Sequence, residues 1–511
     1  MKVKYLNRTC YLLLIGIILY PGIANIAQTR PATNIPANKP PNIIFIITDQ
    51  LRYDMLGYAG NYKAVTPNID RLAAQSMNFK NCVSVTPVCA PYRASLITGK
   101  YTSSTGMVLN ELRINPNQVS IAKVLNGNGY KTGYIGKWHL WSNVPGEHQK
   151  PENAAIPPGP YRMGFNGEWK AYNFHHDNFN SVYYTDTQKP LKYEKPYEPE
   201  AQFDMAIDYI KGHKSGANPF ALFLSVGIPH DPWTKNNVPE KYYNLFKDVK
   251  FKLPDSWTDT PDPYMDRNTE KEAWLKEWKV NLPEMMKVYH AMVASLDDNV
   301  GRLLKSLDEQ GLADNTILVF TTDHGEMFGE NGRVYKLTFY ESAARVPFLI
   351  RWPGHIPAGV QSDVLLNTPD IMPTLLGLAQ IAAPKTVEGT DLSHVCLGKA
   401  GTEPDYAFLQ GMGHTFLWLD GFEWRAVRDK RFTFAKYLRD GSELLFDNQK
   451  DPLQKHNLIA DPFYADVYKN LRQKMEAKMK VLNDEFKPNS WYRNHWTDGN
   501  RNIIASAKGK F

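Results

Sequence analysis

Two apolar runs in this chain, NIIFIIT and TILVFTT, each close on a threonine and then offer metal-ligand chemistry: Asp49-Gln50 and Asp323-His324. Carboxylate and amide oxygens are hard donors suited to calcium, and an imidazole beside them also suits manganese. Two matching Thr-Asp ends favour a divalent-cation site over two unrelated turn residues. Between them lies VSVTPVCAPYRASLITGKY, Val83 to Tyr101. Pro91 suits the first helical position, Tyr92 to Thr98 has helical propensity, and Gly99 supplies the stop. Cys89 then sits at the positive end of a helix dipole, where free N–H groups favour an anion. Lys137 and His139 end GYKTGYIGKWHL, and His230 follows PFALFLSVGIP. Such a set could act on a negatively charged substrate beside a metal.

These residues can cooperate only if the fold brings them to one edge. Short, fully apolar, β-branched runs are what buried parallel strands look like. The spacing also predicts helices over Pro67–Ser76 and over about Leu282–Gln310. In the second, Met285, Tyr289, Met292, Leu296, Val300, Leu303 and Leu307 form one apolar face. Alternating strands and helices imply an α/β fold, a doubly wound, mostly parallel sheet with helices on both faces and ligands at the carboxyl ends of its strands. That arrangement gathers Asp49, Gln50, Lys137, His139, His230, Asp323 and His324. Beyond about residue 400 the pattern changes to antiparallel strands and a helix from about Tyr464 to Leu482, a smaller α+β subdomain. The expected organisation is a signal peptide at 1–27, a leader at 28–40, a catalytic domain at 41–400 and the subdomain with its tail at 401–511. Segments 141–200 and 233–280 are long, aromatic, proline-rich insertions.

The chain has 511 residues, 43% hydrophobic and 22% charged, ordinary globular values. Lys2, Lys4 and Arg8 precede the apolar run YLLLIGIILY, and small residues follow. That run is too short for a stable membrane span, so export to the periplasm or outside the cell is expected. Losing those three residues takes the formal charge from +6 to +3, which gives no case for nucleic acid. Cys82, Cys89 and Cys396 remain, and a Cys82–Cys396 pair would leave Cys89 unpaired.

Cys89-Ala90-Pro91-Tyr92-Arg93, followed by ASLITG, resembles the signature of the formylglycine-dependent (type I) sulfatases of the alkaline-phosphatase-like superfamily. PNIIFIITDQ, TPNIDRLA, GYKTGYIGKWHL, PHDPW, TTDHGEMFGE and RVPFLIRWPG resemble family segments in family order, from about Pro41 to Asp461. The resemblance implies that a maturation enzyme oxidises Cys89 to formylglycine (3-oxoalanine), whose hydrated gem-diol attacks sulfur and passes through a covalent sulfated enzyme. It implies that Asp49, Gln50, Asp323 and His324 hold Ca²⁺ (or Mn²⁺) together with the modified Cys89. It further implies that Arg93 holds the diol, Lys137 and Lys336 bind sulfate oxygens, His139 is the base and His230 the acid. Asn110 is a weaker candidate for a sulfate or sugar contact. Many sulfatases carry Asp-Asp and Asp-Asn where this chain has Asp49-Gln50 and Asp323-His324. The combination here resembles a subset that includes some carbohydrate and choline sulfatases and the phosphonate monoester hydrolases.

The leading expectation is therefore an exported sulfatase acting on a sulfated oligosaccharide or polysaccharide. Trp169, Tyr172, Trp233, Trp257 and Trp424 are candidate sugar-stacking rim residues. The alternatives are a phosphonate or phosphate ester hydrolase with the same site, or an inactive glycan-binding protein.

Overall fold

A computed structural model describes residues 39–511 except 143, 145, 215, 217 and 267–269. The expected signal peptide and all but the last two residues of the leader lie outside the described residues. The main sheet uses β1 (Asn42–Thr48), β2 (Met77–Val83), β3 (Lys131–Lys137) and β4 (Trp169–Tyr172). A small ribbon, β5 (Val182–Tyr183) and β6 (Leu191–Lys192), intervenes before β7 (Phe220–Ser225), β8 (Thr316–Thr322), β9 (Phe348–Arg351) and β10 (Val360–Asn367). The order across the sheet is β10-β2-β9-β8-β1-β7-β3-β4, and only β9 runs antiparallel to its neighbours.

Strand β1 explains why both faces are covered. Its side chains alternate, Ile43, Phe45 and Ile47 entering one apolar cluster and Ile44 and Ile46 the other, all essentially inaccessible. Helices must therefore lie on each side. The Cys89–Thr98 and Thr368–Leu378 helices pack in the first layer, and Lys271–Glu309 in the second. That last helix starts eleven residues before the expected Leu282 and keeps Pro283 inside it. Leu275, Trp278 and Leu282 extend the buried stripe at three- and four-residue steps, and this packing offsets the hydrogen bond that proline removes. Similarly, Cys89 rather than Pro91 opens its helix; Pro91 stays within the first turn, where its missing N–H has no intrahelical partner to lose.

A second, antiparallel sheet follows: β11 (Ala407–Gly411), β12 (Trp424–Arg428), β13 (Phe432–Tyr437) and β14 (Glu443–Asp447). The Ala465–Leu482 helix covers it, burying Leu471, Met475 and Leu482 against Phe408, Val427 and Phe434. No helix among the described residues is long and apolar enough to cross a membrane.

Candidate active site

Strand register brings the two Thr-Asp ends together. Thr48 and Thr322 are direct partners across the parallel β1–β8 pair, so Asp49 and Asp323 leave the same edge side by side. The chain then turns through left-handed backbone at Gln50, φ 66°, whose N–H donates to Asp323 Oδ1 at 3.1 Å. Lys137 is delivered by a different device. Gly136 has φ 99°, and a Cβ there would lie 1.9 Å from the Ser225 carbonyl oxygen, so only glycine lets β3 approach β7 at that point. The Cys89–Thr98 helix is buried along its whole length and ends, as expected, on left-handed Gly99. Its Ala90 N–H donates to Asn110 Oδ1 at 2.9 Å, so Asn110 caps the helix that carries Cys89.

The geometry is dense. Cys89 Sγ lies 3.3 Å from His324 Nε2, 3.6 Å from Lys336 Nζ, 3.7 Å from Asp49 Oδ1 and 3.8 Å from Lys137 Nζ. Ligand atoms of Asp49, Cys89, Asp323 and His324 all fall within 4.8 Å of one another. Arg93 Nη2 bridges Asp49 Oδ2 (3.2 Å) and Asp323 Oδ2 (3.1 Å), while its Nη1 donates to Ser225 Oγ and the Lys137 carbonyl. Lys137 Nζ pairs with Asp49 Oδ2 at 2.6 Å. Burial alone would raise the Asp49 carboxyl, but Lys137, His230, Arg93 and Lys336 together hold it well below the usual carboxylate range. His324 Nδ1 faces the Gly325 carbonyl at 2.9 Å, which places the proton there and leaves Nε2 a lone pair. Burial pushes this imidazole down to about 4, so it stays neutral. Gln50 points its amide oxygen at Lys336 Nζ (2.9 Å) and its amide nitrogen at Glu326. Burial drives Glu326 up to about 7.

His230 and Lys336 face each other across the opening, His230 Nε2 2.7 Å from Lys336 Nζ. An ammonium has no acceptor, so Nε2 takes that hydrogen bond and Nδ1 carries the proton toward Asp231. Burial and Lys336 push His230 down, but Asp231 and Asp49 outweigh them and its pKa lies above the ordinary histidine value. His139 is buried, its ring 4.5 Å from that of Phe174 and its Nε2 3.7 Å from Glu111 Oε1. Burial and the charges of Lys137 and Arg93 hold it well below the ordinary value, so it is neutral. A cavity of about 260 Å³ opens over Cys89, lined also by Asn110, His176, His230, Lys336 and Phe416. A larger groove of about 650 Å³, around Asn68, Arg302 and Arg351, contains none of these residues.

Several expectations need correction. Trp169, Tyr172, Trp233 and Trp424 are buried core residues, because the insertions carrying the first three fold inward and pack on the sheet layers. Trp169 stacks on Tyr134, Trp233 meets Trp278 edge to face, and Trp424 Nε1 donates to the Leu337 carbonyl. Trp257 is partly buried against Gly329 and does not line the Cys89 cavity. The aromatics at the opening are Phe174, Tyr335 and Phe416. The pairing of Cys82 with Cys396, left open by the sequence, does not occur: both are free and buried. Ser225, Asp231, Glu326 and His176 also belong to the site. Their neighbours in sequence are the motif residues, except for His176, which lies in an aperiodic insertion.

Behind that insertion, Tyr172 OH and Gln202 Nε2 donate to Glu198 Oε1, and His175 Nε2 lies 3.4 Å from Glu198 Oε2. Burial pushes Glu198 up to about 7 and His175 down to about 3, so below neutral pH this contact joins two uncharged groups. A carboxyl raised in the folded state binds more protons there than in the unfolded chain. Its contribution is therefore fully present below the unfolded value of 4.5 and is lost as pH rises through about 7. Glu198→Gln should flatten the fall in melting temperature between pH 5 and 8; an unchanged slope in thermal melts would show that Glu198 does not control it.

Known proteins resemble this chain over most of its length. The sulfatase family profile matches residues 41–381, and a profile described as the C-terminal region of N-sulphoglucosamine sulphohydrolase matches 329–481. An ulvan-active sulfatase of Formosa agariphila is 36% identical, over 88% of this chain and 83% of that protein. An N-acetylglucosamine-6-O-sulfatase of Bacteroides thetaiotaomicron is 27% identical, over 87% of each chain. Among solved structures, a B. thetaiotaomicron protein from its glycosaminoglycan metabolism superposes with a TM-score of 0.73 at 27% identity, covering 89% of this chain and 98% of that one. With a mostly parallel sheet that brings Cys89, two carboxylates and two lysines to one edge, the chain belongs to the sulfatase family, type I sulfatases of the alkaline-phosphatase-like superfamily, and is a sulfuric ester hydrolase.

Proposed function

We propose that this sulfatase is exported and releases sulfate from a sulfated glycan, using a formylglycine made from Cys89 and a divalent cation beside it. The observation that carries this is the placement of Cys89 Sγ within 3.8 Å of His324, Asp49, Lys336 and Lys137 at once. The donor chemistry supports both groups. Asp49, Asp323 and Gln50 are hard oxygen donors of the kind calcium takes, and a soft thiol is out of place among them. Replacing that sulfur with oxygen resolves the mismatch. When bound, the cation would polarise sulfate oxygens, and the hydrated aldehyde would supply an oxygen nucleophile where a thiol stands.

The remaining steps belong to the chain's own side chains. Arg93, anchored on Ser225 and both carboxylates, would hold the modified residue in place. Lys137 and Lys336 would bind sulfate oxygens and stabilise charge as it redistributes. His230, released from Lys336 when sulfate comes between them, would take up a proton at Nε2, as its raised pKa favours, and pass it to the leaving oxygen. His139 is neutral and has no hydrogen-bond partner on either ring nitrogen, which suits the base that takes a proton from the nucleophile for sulfate release. Asn110 would do two things: its Oδ1 caps the helix that carries Cys89, and from the cavity wall the side chain would meet a sulfate or sugar oxygen. Residues 41–400 would carry the chemistry, and 401–511 would close the pocket through Thr415 and Phe416. At about 260 Å³ the cavity is smaller than drug-sized ligand pockets, which start near roughly 300 Å³, and suits one terminal sugar. Hydrolysis of a phosphonate or phosphate ester is the weaker reading, since the named relatives are sulfatases.

A panel of sulfated oligosaccharides, with aryl phosphate and phosphonate esters alongside, tests this with protein whose Cys89 conversion has been checked by mass spectrometry. Sulfate should appear from a glycan, and a preference for phosphorus esters would reverse the ranking. Removing divalent cations with a chelator should abolish release, and Ca²⁺ or Mn²⁺ should restore it. Activity unaffected by exhaustive chelation would remove the metal from the proposal.

A further inference from the structure

His176 lies flat on His230, ring centroids 3.6 Å apart and planes 2° apart. It comes from the 141–200 insertion, far in sequence from the strand ends that supply the rest of the site. Its support is extensive. Phe174 meets it edge-on at 4.6 Å, the preceding His175 stacks on Tyr172 at 3.7 Å, and the His176 carbonyl accepts from Asn237 Nδ2 at 3.1 Å. His230 is thus held along its Nδ1 edge by the Asp231 carbonyl, at 2.9 Å, and over one face by His176. The remaining edge, Nε2, faces Lys336 and the cavity over Cys89.

We propose that His176 is a positioning residue for sulfate ester hydrolysis: its ring fixes the plane of His230, so that Nε2 stays aimed at the leaving oxygen. The proposal rests on the reading of His230 as the proton donor. A histidine χ2 is a broad, roughly two-fold torsion with no sharp wells of its own, so one edge contact leaves the ring free to tilt. A second ring stacked on its face removes that freedom. A tilted N–H misses the leaving oxygen, and the loss falls on those esters whose leaving group must be protonated to depart.

Leaving-group dependence reads this out. The probes are aryl sulfates running from 4-nitrophenyl, which departs readily as an anion, to 4-methylphenyl, which needs the proton. His176→Ala should lower kcat about 10- to 100-fold on the 4-methylphenyl ester, a fraction of what general acid catalysis supplies, and change the 4-nitrophenyl rate little. His176→Phe keeps a flat ring and should recover most of the loss. Equal losses on both esters, no loss on either, or failure of phenylalanine to rescue would overturn the positioning role. His230→Ala is the reference. If it shows no leaving-group dependence, the reading of His230 as the acid fails; if it does while His176→Ala does not, only the inference about His176 fails.

Discussion

Replacing Cys89 with alanine should abolish sulfate release, with kcat falling by roughly 10⁵-fold or more, the scale seen when a nucleophile is removed. Nothing else on the cavity floor can take its place, because the flanking groups are cations, a neutral imidazole and carboxylates already bound to Arg93 and Lys137. The fold should survive. Cys89 is a small buried side chain on a fully packed helix, and losing one sulfur atom costs about 1–2 kcal/mol, little for a chain this size. Cys89→Ser should be as inactive as alanine, since serine keeps an oxygen but is not the thiol that the proposed oxidation needs. The check is sulfate release beside a circular dichroism melt. Either variant holding more than a few per cent of activity would remove Cys89 from the nucleophile's place. If the native protein is active with an intact thiol, Cys89 stays in the site and the formylglycine is lost from the mechanism.

The second large effect is expected at Asp49→Asn. Asp49 is wholly buried and is the counter-charge for Lys137 and, with Asp323, for Arg93. Asparagine keeps the shape but removes the charge, leaving Lys137 buried beside Arg93 and Lys336 without its carboxylate. Breaking a buried ion pair from one side costs about 3–5 kcal/mol, so the variant should melt several degrees lower. Activity should fall by at least about 10³-fold, because both the cation site and the alignment of Arg93 and Lys137 are lost together. Asp186→Asn is the control. Its carboxylate also pairs with an arginine, Arg162, but is 79% exposed, and the change should cost under about 1 kcal/mol with activity unaltered. If Asp49→Asn melts like the native protein, the charge balance described here is wrong. A normal rate in that variant would take Asp49 out of the metal site.

Much of the chemistry was legible in the sequence because it is written at strand ends. An apolar run of seven residues and the polar pair that follows it are local facts, and parallel pairing alone then aligns Thr48 with Thr322 and brings Asp49 beside Asp323. The helix stop at Gly99 and the helix ending at Leu482 were legible for the same reason, through caps and period. The start of the long helix was not: Pro283 looks like a boundary locally, and only burial of Leu275 and Trp278 against the sheet keeps the helix going through it.

What the sequence determined by itself is a set of candidate groups at strand ends, Asp49, Gln50, Lys137, His139, His230, Asp323 and His324, and the edge on which they meet, since both follow from residue type and from the apolar runs of buried parallel strands; Arg93 and Lys336 entered only through the family resemblance. The tertiary structure alone decided which aromatics wall the pocket, that Cys82 and Cys396 stay apart as thiols, that Asn110 caps the helix of Cys89, and that His176 rests on His230. Each of those depends on how an insertion without periodicity, or a residue far away in the chain, packs against the sheet. Such contacts are fixed by shape and burial across long sequence separations, and no local pattern encodes them.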